Sequence, residues 1–523
     1  MAMKTICGIA LVVVTVGGCS AVDNVFCDNG NCGWTDHESA ELSALTGLPA
    51  EPPVDTSNRY AGMPPAQQLG RKFFSDPRFS GSYRGNDEIG RPMPFGRVAT
   101  GQAMNISCFS CHDLKNGGAD TAEVPGNVSI GASWTTLNTP TVINVVFQPL
   151  LMWGARIDSL WAQPPGAIEA SMGSNRARAA WTIASFYRRD YDAIFTEYPL
   201  PLQGTIAQLL PTLSAEPGKV GQCLMNPSCP SNCRSVKDDA TGATGCFPRF
   251  VLDGKPGKKA GCQPGDAAEP FGDAFDCMAM DDQVAVKRIL VNFAKAVGAF
   301  ESRLISRDSA FDQFMVDVRA GRANESTIIS SDAKKGAQLF VGKAGCSDCH
   351  NTPLLSDSKF YNVGVPDMGA AVATEVDCPK GGNCDCVTPN NCLPWGVRDG
   401  LVKLQKHPYL RTSSWSDDPD DLSRKMYMDM SPDAVGKGSY RTPSLRDVAL
   451  TAPYMHDGAL PTLESVVAHY NRGGDADVYG DRSARIKPLN LSDKEQSQLV
   501  AFLKTLTGAP LPSELADPPE LPR

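Results

Sequence analysis

His112 and His350 each close a Cys-x-x-Cys-His pentapeptide, Cys108-Phe109-Ser110-Cys111-His112 and Cys346-Ser347-Asp348-Cys349-His350. This spacing is the attachment signature of a c-type haem. Two thiols bond to the vinyl groups of one porphyrin, and the adjacent imidazole takes one axial position on its iron. Zinc is the rival for such a motif, but it needs partner ligands, and the sequence holds only four other histidines, His37, His407, His456 and His469. Two covalently bound haems c are what this chain has to fold around.

A helical pattern leads into each motif. Gly70-x-x-Phe73-Phe74, after Leu69, precedes the first; Gly336-x-x-Leu339-Phe340, after Ala333, precedes the second. Asp332 is expected to N-cap the second of these helices. The short repeat predicts two domains of one helical kind, each turning an aromatic edge to a haem. Residues 284–304 set Ile289, Phe293, Val297, Phe300 and Leu304 on one face. Residues 492–507 open on a Ser492/Glu495 capping box, carry Leu499, Phe502, Leu503 and Leu506, and stop at Gly508 and Pro510. The fold class is therefore mainly α, with two cytochrome c-like helical haem domains and Cys-rich, disulfide-stapled loop insertions.

The 18 cysteines would be a liability in a reducing cytosol and point to export. The N-terminus agrees. Lys4, an apolar run from Ile6 to Val16 and then Gly17-Gly18-Cys19 resemble a bacterial lipoprotein signal in which Cys19 is lipidated. Residues 1–18 are then the signal peptide and 19–58 a polar tether. Ser20 suits sorting to the outer membrane, so a lipid-anchored protein of the periplasm is expected. No later stretch is long and apolar enough for a membrane helix, which leaves the lipid as the expected membrane contact. Apart from Cys7, Cys19 and the four haem thiols, the cysteines fall into even local groups. These are Cys27 and Cys32; Cys223, Cys229, Cys233, Cys246, Cys262 and Cys277; and Cys378, Cys384, Cys386 and Cys392. The stretches around the last two groups, about 203–283 and about 370–435, show little apolar periodicity, and local disulfides are their expected staples. They interrupt an N-terminal haem domain of 59–325 and a C-terminal one of 326–510, followed by a tail at 511–523. With 49 Lys+Arg against 58 Asp+Glu, no basic footprint for nucleic acid exists.

From about residue 66 to 508 the chain resembles the bacterial di-haem cytochrome c peroxidases and their MauG-like relatives. The resemblance is carried by Leu69-Gly-Arg-Lys-Phe-Phe-Ser-Asp-Pro-Arg78, Asn138-Thr-Pro-Thr-Val-Ile-Asn-Val-Val-Phe147 and Ser439-Tyr-Arg-Thr-Pro-Ser-Leu-Arg446. Its strongest segment is Thr451-Ala-Pro-Tyr-Met-His-Asp-Gly458, followed by Thr462-Leu-Glu-Ser. The resemblance implies an N-terminal haem that meets hydrogen peroxide, a C-terminal haem that takes in electrons, and a tryptophan between them. Trp153, in Met152-Trp153-Gly154-Ala155-Arg156, stands where that tryptophan would be. The resemblance also implies a calcium ion between the haems, held partly by carbonyl oxygens, with Asn138, Thr451 and Pro453 at the matching positions. A redox-protein electron donor follows from it, and it hints at a homodimer.

The sixth ligands set the subclass. In typical members a distal His follows Ser-Ile-Gly and blocks the first haem. Here Ser129-Ile130-Gly131 runs on to Ala132, and no His lies between His112 and His350. The first haem is thus expected to be open, as in MauG-like members, and an open position admits peroxide or dioxygen. For the second haem, Tyr470 stands where peroxidases place a Met. Leu463, Val466, Val467 and Tyr470 share one helical face. Met455 is the rival ligand, with His456 and His469 as further alternatives. Gln163 matches one member of the family's proton-shuttling pair, but the usual Glu falls on Gly173, leaving Glu169 or Glu197 as substitutes. Two functions are carried forward: an exported di-haem peroxidase or oxidase with Trp153 relaying electrons, and a non-catalytic di-haem electron-transfer lipoprotein. In a further reading the Cys-rich insertions are docking surfaces.

Overall fold

The computed structural model describes residues 27–28, 31–83, 85, 99–120, 129, 131, 132, 135, 137–197, 233–237, 244–248, 275, 278, 280–365, 396–476 and 478–523. The signal peptide, Cys19 and most of the cysteines expected in disulfides lie outside the described residues. Among the described residues helices dominate, and the strands form three two-stranded antiparallel sheets. In the first of these, Cys27 pairs in register with Cys32.

Each half is built on one crossing of two helices. In the first, the opening helix Pro64–Ser75 starts with proline in its first turn, where no intrahelical N–H is needed. It lies across the closing helix Met280–Glu301. Gly70 touches the Ala296 carbonyl so closely that a Cβ would overlap it. In the second half, the opening helix Ser331–Val341 crosses the closing helix Asp493–Lys504 in the same way, with Gly336 against the Gln498 carbonyl. The short repeat seen in the sequence is thus a packing device used twice. Ser330, not Asp332, caps the second opening helix, its side chain accepting the Ala333 N–H at 3.1 Å. Asp332 instead pairs with Lys494 on the closing helix at 2.8 Å. The Ser492/Glu495 capping box forms as expected.

Around these crossings lie two apolar cores. One gathers Leu69, Phe73, Phe74, Phe79, Phe293, Val297 and Phe300; the other gathers Phe311, Phe314, Phe340, Leu463, Val467, Leu499 and Phe502. The C-terminal tail crosses back to the first half, where Leu511 and Ala516 join the first core. Arg71 and Arg78 donate to the carbonyls of Asp517 and Pro522.

The expectation that the second insertion builds little core fails for residues 396–435. The helix Val397–Gln405 spaces Val397, Leu401 and Leu404 on one face and buries them against Leu150 and Ala155 of the first half. Next to it runs a charged clamp. Arg411 pairs with Asp55 at 2.8 Å and with Asp421, while Lys295, buried in the first closing helix, pairs with Asp417 at 2.7 Å. Ion pairs this deep hold the halves together only because each charge keeps its partner.

A second repeat, larger than the sequence suggested, follows each motif. Asn144 and Asp447 both take left-handed backbone and cap the 3-10 turns Val145–Phe147 and Val448–Leu450. Met152 and Met455 are left-handed as well, each inside a loop closed by one bridge, Leu151 to Ile157 and Tyr454 to Leu460. At this register Trp153 matches His456.

Asp447 is 4% exposed, accepts from Ser306 Oγ at 3.0 Å and Gly508 N–H at 2.8 Å through Oδ1, and leaves Oδ2 without a partner. Burial pushes its pKa up. A raised folded-state pKa means that stability is fullest below the ordinary carboxylate range and falls as pH rises through the folded value. Asp447→Asn, which copies the amide found at Asn144, is expected to stabilise the protein at pH 7 by about 1 kcal/mol. The gain should vanish near pH 3, as measured by denaturant unfolding of both proteins across that range.

Candidate di-haem site

Both motifs fold into the same local structure. Cys108–Ser110 and Cys346–Asp348 are single 3-10 turns, and the His112 and His350 N–H groups donate to the carbonyls of Cys108 and Cys346 at 2.9 and 3.0 Å. His112 Nδ1 lies 3.1 Å from the Gly118 carbonyl, and His350 Nδ1 lies 2.6 Å from that of Leu355. With Nδ1–H donating, the tautomer is fixed and Nε2 keeps its lone pair for a metal. Burial pushes both imidazoles to lower pKa, favouring the neutral form that coordinates. None of the four motif cysteines is in a disulfide, and burial pushes Cys346 up to about 12. Phe74 and Phe340 stand against the two histidine rings at 6.2 and 6.4 Å between centroids, and the same rings pack on Phe300 and Phe502 of the closing helices.

The second site has a tyrosine in its wall. Tyr470, at the end of the helix Leu463–Asn471, is half-buried and lies close enough to Cys346 and Cys349 to be coupled electrostatically to both; burial pushes its hydroxyl pKa up. Met455 sits in the preceding loop in left-handed backbone. The histidine alternatives are engaged elsewhere. His469 has Nε2 at 2.9 Å from the Val363 carbonyl and Nδ1 at 3.2 Å from Arg472, and His456 stacks on Tyr440 at 3.8 Å.

Between the motifs, hydrogen bonds tie Trp153 to both halves. Its indole N–H donates to the Asn138 carbonyl at 2.8 Å, and its own carbonyl accepts from Arg441 N–H at 3.0 Å. Asn138 in turn donates from its backbone to the His456 carbonyl at 2.7 Å and from Nδ2 to the Pro453 carbonyl at 2.6 Å. Two of the three residues expected at the calcium position are therefore in contact. Thr451 lies one turn upstream, its hydroxyl donating to the Val448 carbonyl. Arg441 is buried, and its guanidinium meets only the carbonyls of Met152 and Thr442. Burial lowers its pKa to about 10, and it has no acidic partner among the described residues. A haem propionate would supply the missing counter-charge. Thiols, free Nε2 atoms, apolar walls and this cation together fit two c-type haems.

A family model described as di-haem cytochrome c peroxidase matches residues 64–215. The cytochrome-c peroxidase IdrP2 of Pseudomonas sp. strain SCT is 26% identical over 470 residues, covering 88% of this chain and 86% of that protein. The methylamine utilization protein MauG of Methylorubrum extorquens is 24% identical over 517 residues, covering 98% and 97%. The cytochrome-c peroxidase IdrP1 of Denitromonas iodatirespirans is 33% identical over 232 residues, covering 43% and 52%. The chain is thus similar over most of its length to di-haem peroxidases and MauG, and residues 64–215 match the di-haem cytochrome c peroxidase family. That likeness, with the two Cys-x-x-Cys-His motifs, points to two c-type haems and oxidoreductase chemistry.

The carboxylate that this family would use is missing from the expected places. Gly173 is left-handed, and a Cβ there would meet Ala132 Cβ and the Ser82 carbonyl, so the turn admits no side chain. Glu169 is held by Arg176 at 2.6 Å, and Glu197 pairs with Arg59 on the surface at 2.8 Å. Gln163 is half-buried at the N-cap of the helix Pro164–Glu169. A carboxyl that the sequence reading did not single out, Glu301, is buried beside Cys108. Gly173→Glu should therefore disrupt the turn and not restore a proton shuttle. A loss of about 2 kcal/mol or more in unfolding free energy, with no gain in peroxide turnover, is the expected result.

Proposed function

We propose that this chain is an exported di-haem peroxidase or oxidase of the MauG-like kind, reducing hydrogen peroxide at the Cys108–His112 site with electrons passed on from the Cys346–His350 site. The observation that carries the reading is the difference between two otherwise repeated sites. Tyr470 lies beside the second motif, whereas the sequence between His112 and His350 offers the first no histidine. Two haems held by these residues would supply irons that change oxidation state by one electron and that can react with peroxide.

The protein's own groups do the rest. His112 and His350, held through Nδ1, present Nε2 to the irons. Tyr470 closes the second site; its phenolate favours ferric iron and so stabilises oxidised states there. Met455 is the alternative for that position. Trp153, fixed at both its N–H and its carbonyl, bridges the halves as the path for electrons. Asn138, Thr451 and Pro453 would lend oxygens to a calcium ion held between the sites. Gln163 orients the proton traffic of the first site. Cys19 anchors the protein by a lipid in the periplasm, at the outer membrane.

A second reading, a di-haem electron-transfer lipoprotein without turnover, is favoured by one observation: Gly173 can carry no carboxylate, and Glu169 and Glu197 are committed elsewhere. Peroxide-dependent loss of the ferrous Soret band separates the two, and no turnover in any redox state supports the electron carrier. Tyr470→Phe is expected to change the low-spin ferric EPR signal of the second haem while the high-spin signal of the first stays in place. An unchanged low-spin signal assigns the ligand to Met455. Separately, Cys19→Ser is expected to move the protein from the membrane to the soluble fraction of fractionated cells.

A further inference from the structure

Laying the two closing helices on one another exposes a difference that the fold does not require. Gly70 sits on Ala296 and Gly336 on Gln498, which matches Val297 with Leu499, Phe300 with Phe502 and Leu304 with Leu506. All six are buried apolar residues in equivalent roles. The position between them is Leu503 in the second half and Glu301 in the first. Leu503 is an ordinary core residue. Glu301 is a carboxylic acid, 5% exposed, next to Cys108.

Such a group normally comes with a cation or a hydrogen-bond donor. Glu301 makes no hydrogen bond or ion pair among the described residues. The cations on the surrounding elements are turned elsewhere: Arg71 to the Asp517 carbonyl, Lys72 to Asp190, Arg176 to Glu169 and Lys295 to Asp417. Cys108, the titratable group coupled to it, gives up its proton for good once bonded to haem. Burial accordingly pushes Glu301 up to about 8, where it holds its proton near neutral pH. Aliphatic packing at this point is available to the fold, as Leu503 shows, so the acid serves something other than stability.

We propose that Glu301 is the proton-holding group of the first haem, which it adjoins on the Cys108 side. The positive charge of a ferric haem would favour the ionised carboxylate, so when one electron arrives at that haem from the redox-protein donor Glu301 takes one proton from solvent, and when the electron leaves the proton is released. Charge entering the buried site is thereby balanced, and the first haem's affinity for electrons depends on pH while that of the second, beside Leu503, does not. The proposal rests on the reading that a haem is bonded to Cys108 and Cys111.

Spectroelectrochemical titration of the purified holoprotein between pH 6 and 9 tests it. A haem count of two by mass spectrometry and pyridine haemochrome comes first; a count below two rejects the underlying reading, independently of the inference. With both haems present, the midpoint of the first is expected to fall as pH rises, because the ionised carboxylate favours ferric iron. Glu301→Gln, close in shape, should abolish that dependence, Glu301→Leu should do the same, and Glu301→Asp should keep it. If the dependence is absent in the native protein, or survives in Glu301→Gln, the assignment is wrong.

Discussion

The rest of the molecule depends on two backbones touching. At Gly70 and again at Gly336, an opening helix lies against the carbonyls of a closing helix at a distance that leaves no room for a Cβ. That approach brings Phe74 and Phe340 between the closing helices and the motif histidines. An alanine at either glycine would push the helices apart and carry the aromatic ring, and with it the wall of the site, away from the imidazole. The haem motif by itself is five residues in a 3-10 turn; the crossing is what gives it an apolar surround.

How the two halves meet follows from the loops after each motif. Their left-handed corners at Asn144 and Asp447 point polar side chains toward the same region, where Asn144 bonds both backbone groups of Ser306 and Asp447 takes the Ser306 hydroxyl. The next corners, at Met152 and Met455, deliver Trp153 and His456 to the two sides of Asn138. A tryptophan held in this way is fixed in position by backbone groups from both halves, as an electron path between two sites needs. The buried pairs Lys295–Asp417 and Arg411–Asp55 then lock the 405–421 stretch across the first half. Neither contact is strong by itself in water. Both depend on the partner staying paired once desolvated.

Much of this was legible in the sequence because the signals were periodic or chemically singular. Cys-x-x-Cys-His spacing, the apolar face from Ile289 to Leu304 and the Ser492 capping box translate directly into structure. The glycine–phenylalanine repeat was legible too, though its meaning was not: a glycine in a helix reads as a weak spot until the carbonyl it touches is known. Asp332 was misread as a cap because Ser330, two residues earlier, offers an equally good oxygen, and only the paired Lys494 on another helix decides between them. The 396–435 stretch was read as core-poor because its apolar residues are few. Its partners, Leu150 and Ala155, lie far away in the chain, and no local pattern reports that. The same holds for Gly173, where the sequence shows a missing carboxylate and the structure shows a turn in which none could be placed.

The internal repeat makes the chain its own control. Wherever the two halves keep the same residue type, as at Phe300 and Phe502 or Leu304 and Leu506, the fold accounts for it. Where they part, the shared frame removes packing as the explanation, because the other half packs without that residue. Three such differences stand out: Trp153 against His456, Asn144 against Asp447 and Glu301 against Leu503. The first puts an oxidisable indole on only one side of the junction. The second buries an acid where an amide is tolerated. The third places a proton beside one haem motif and a hydrocarbon beside the other. A protein whose two sites had the same task would have no reason to keep these asymmetries, and they argue that the two motifs are not interchangeable.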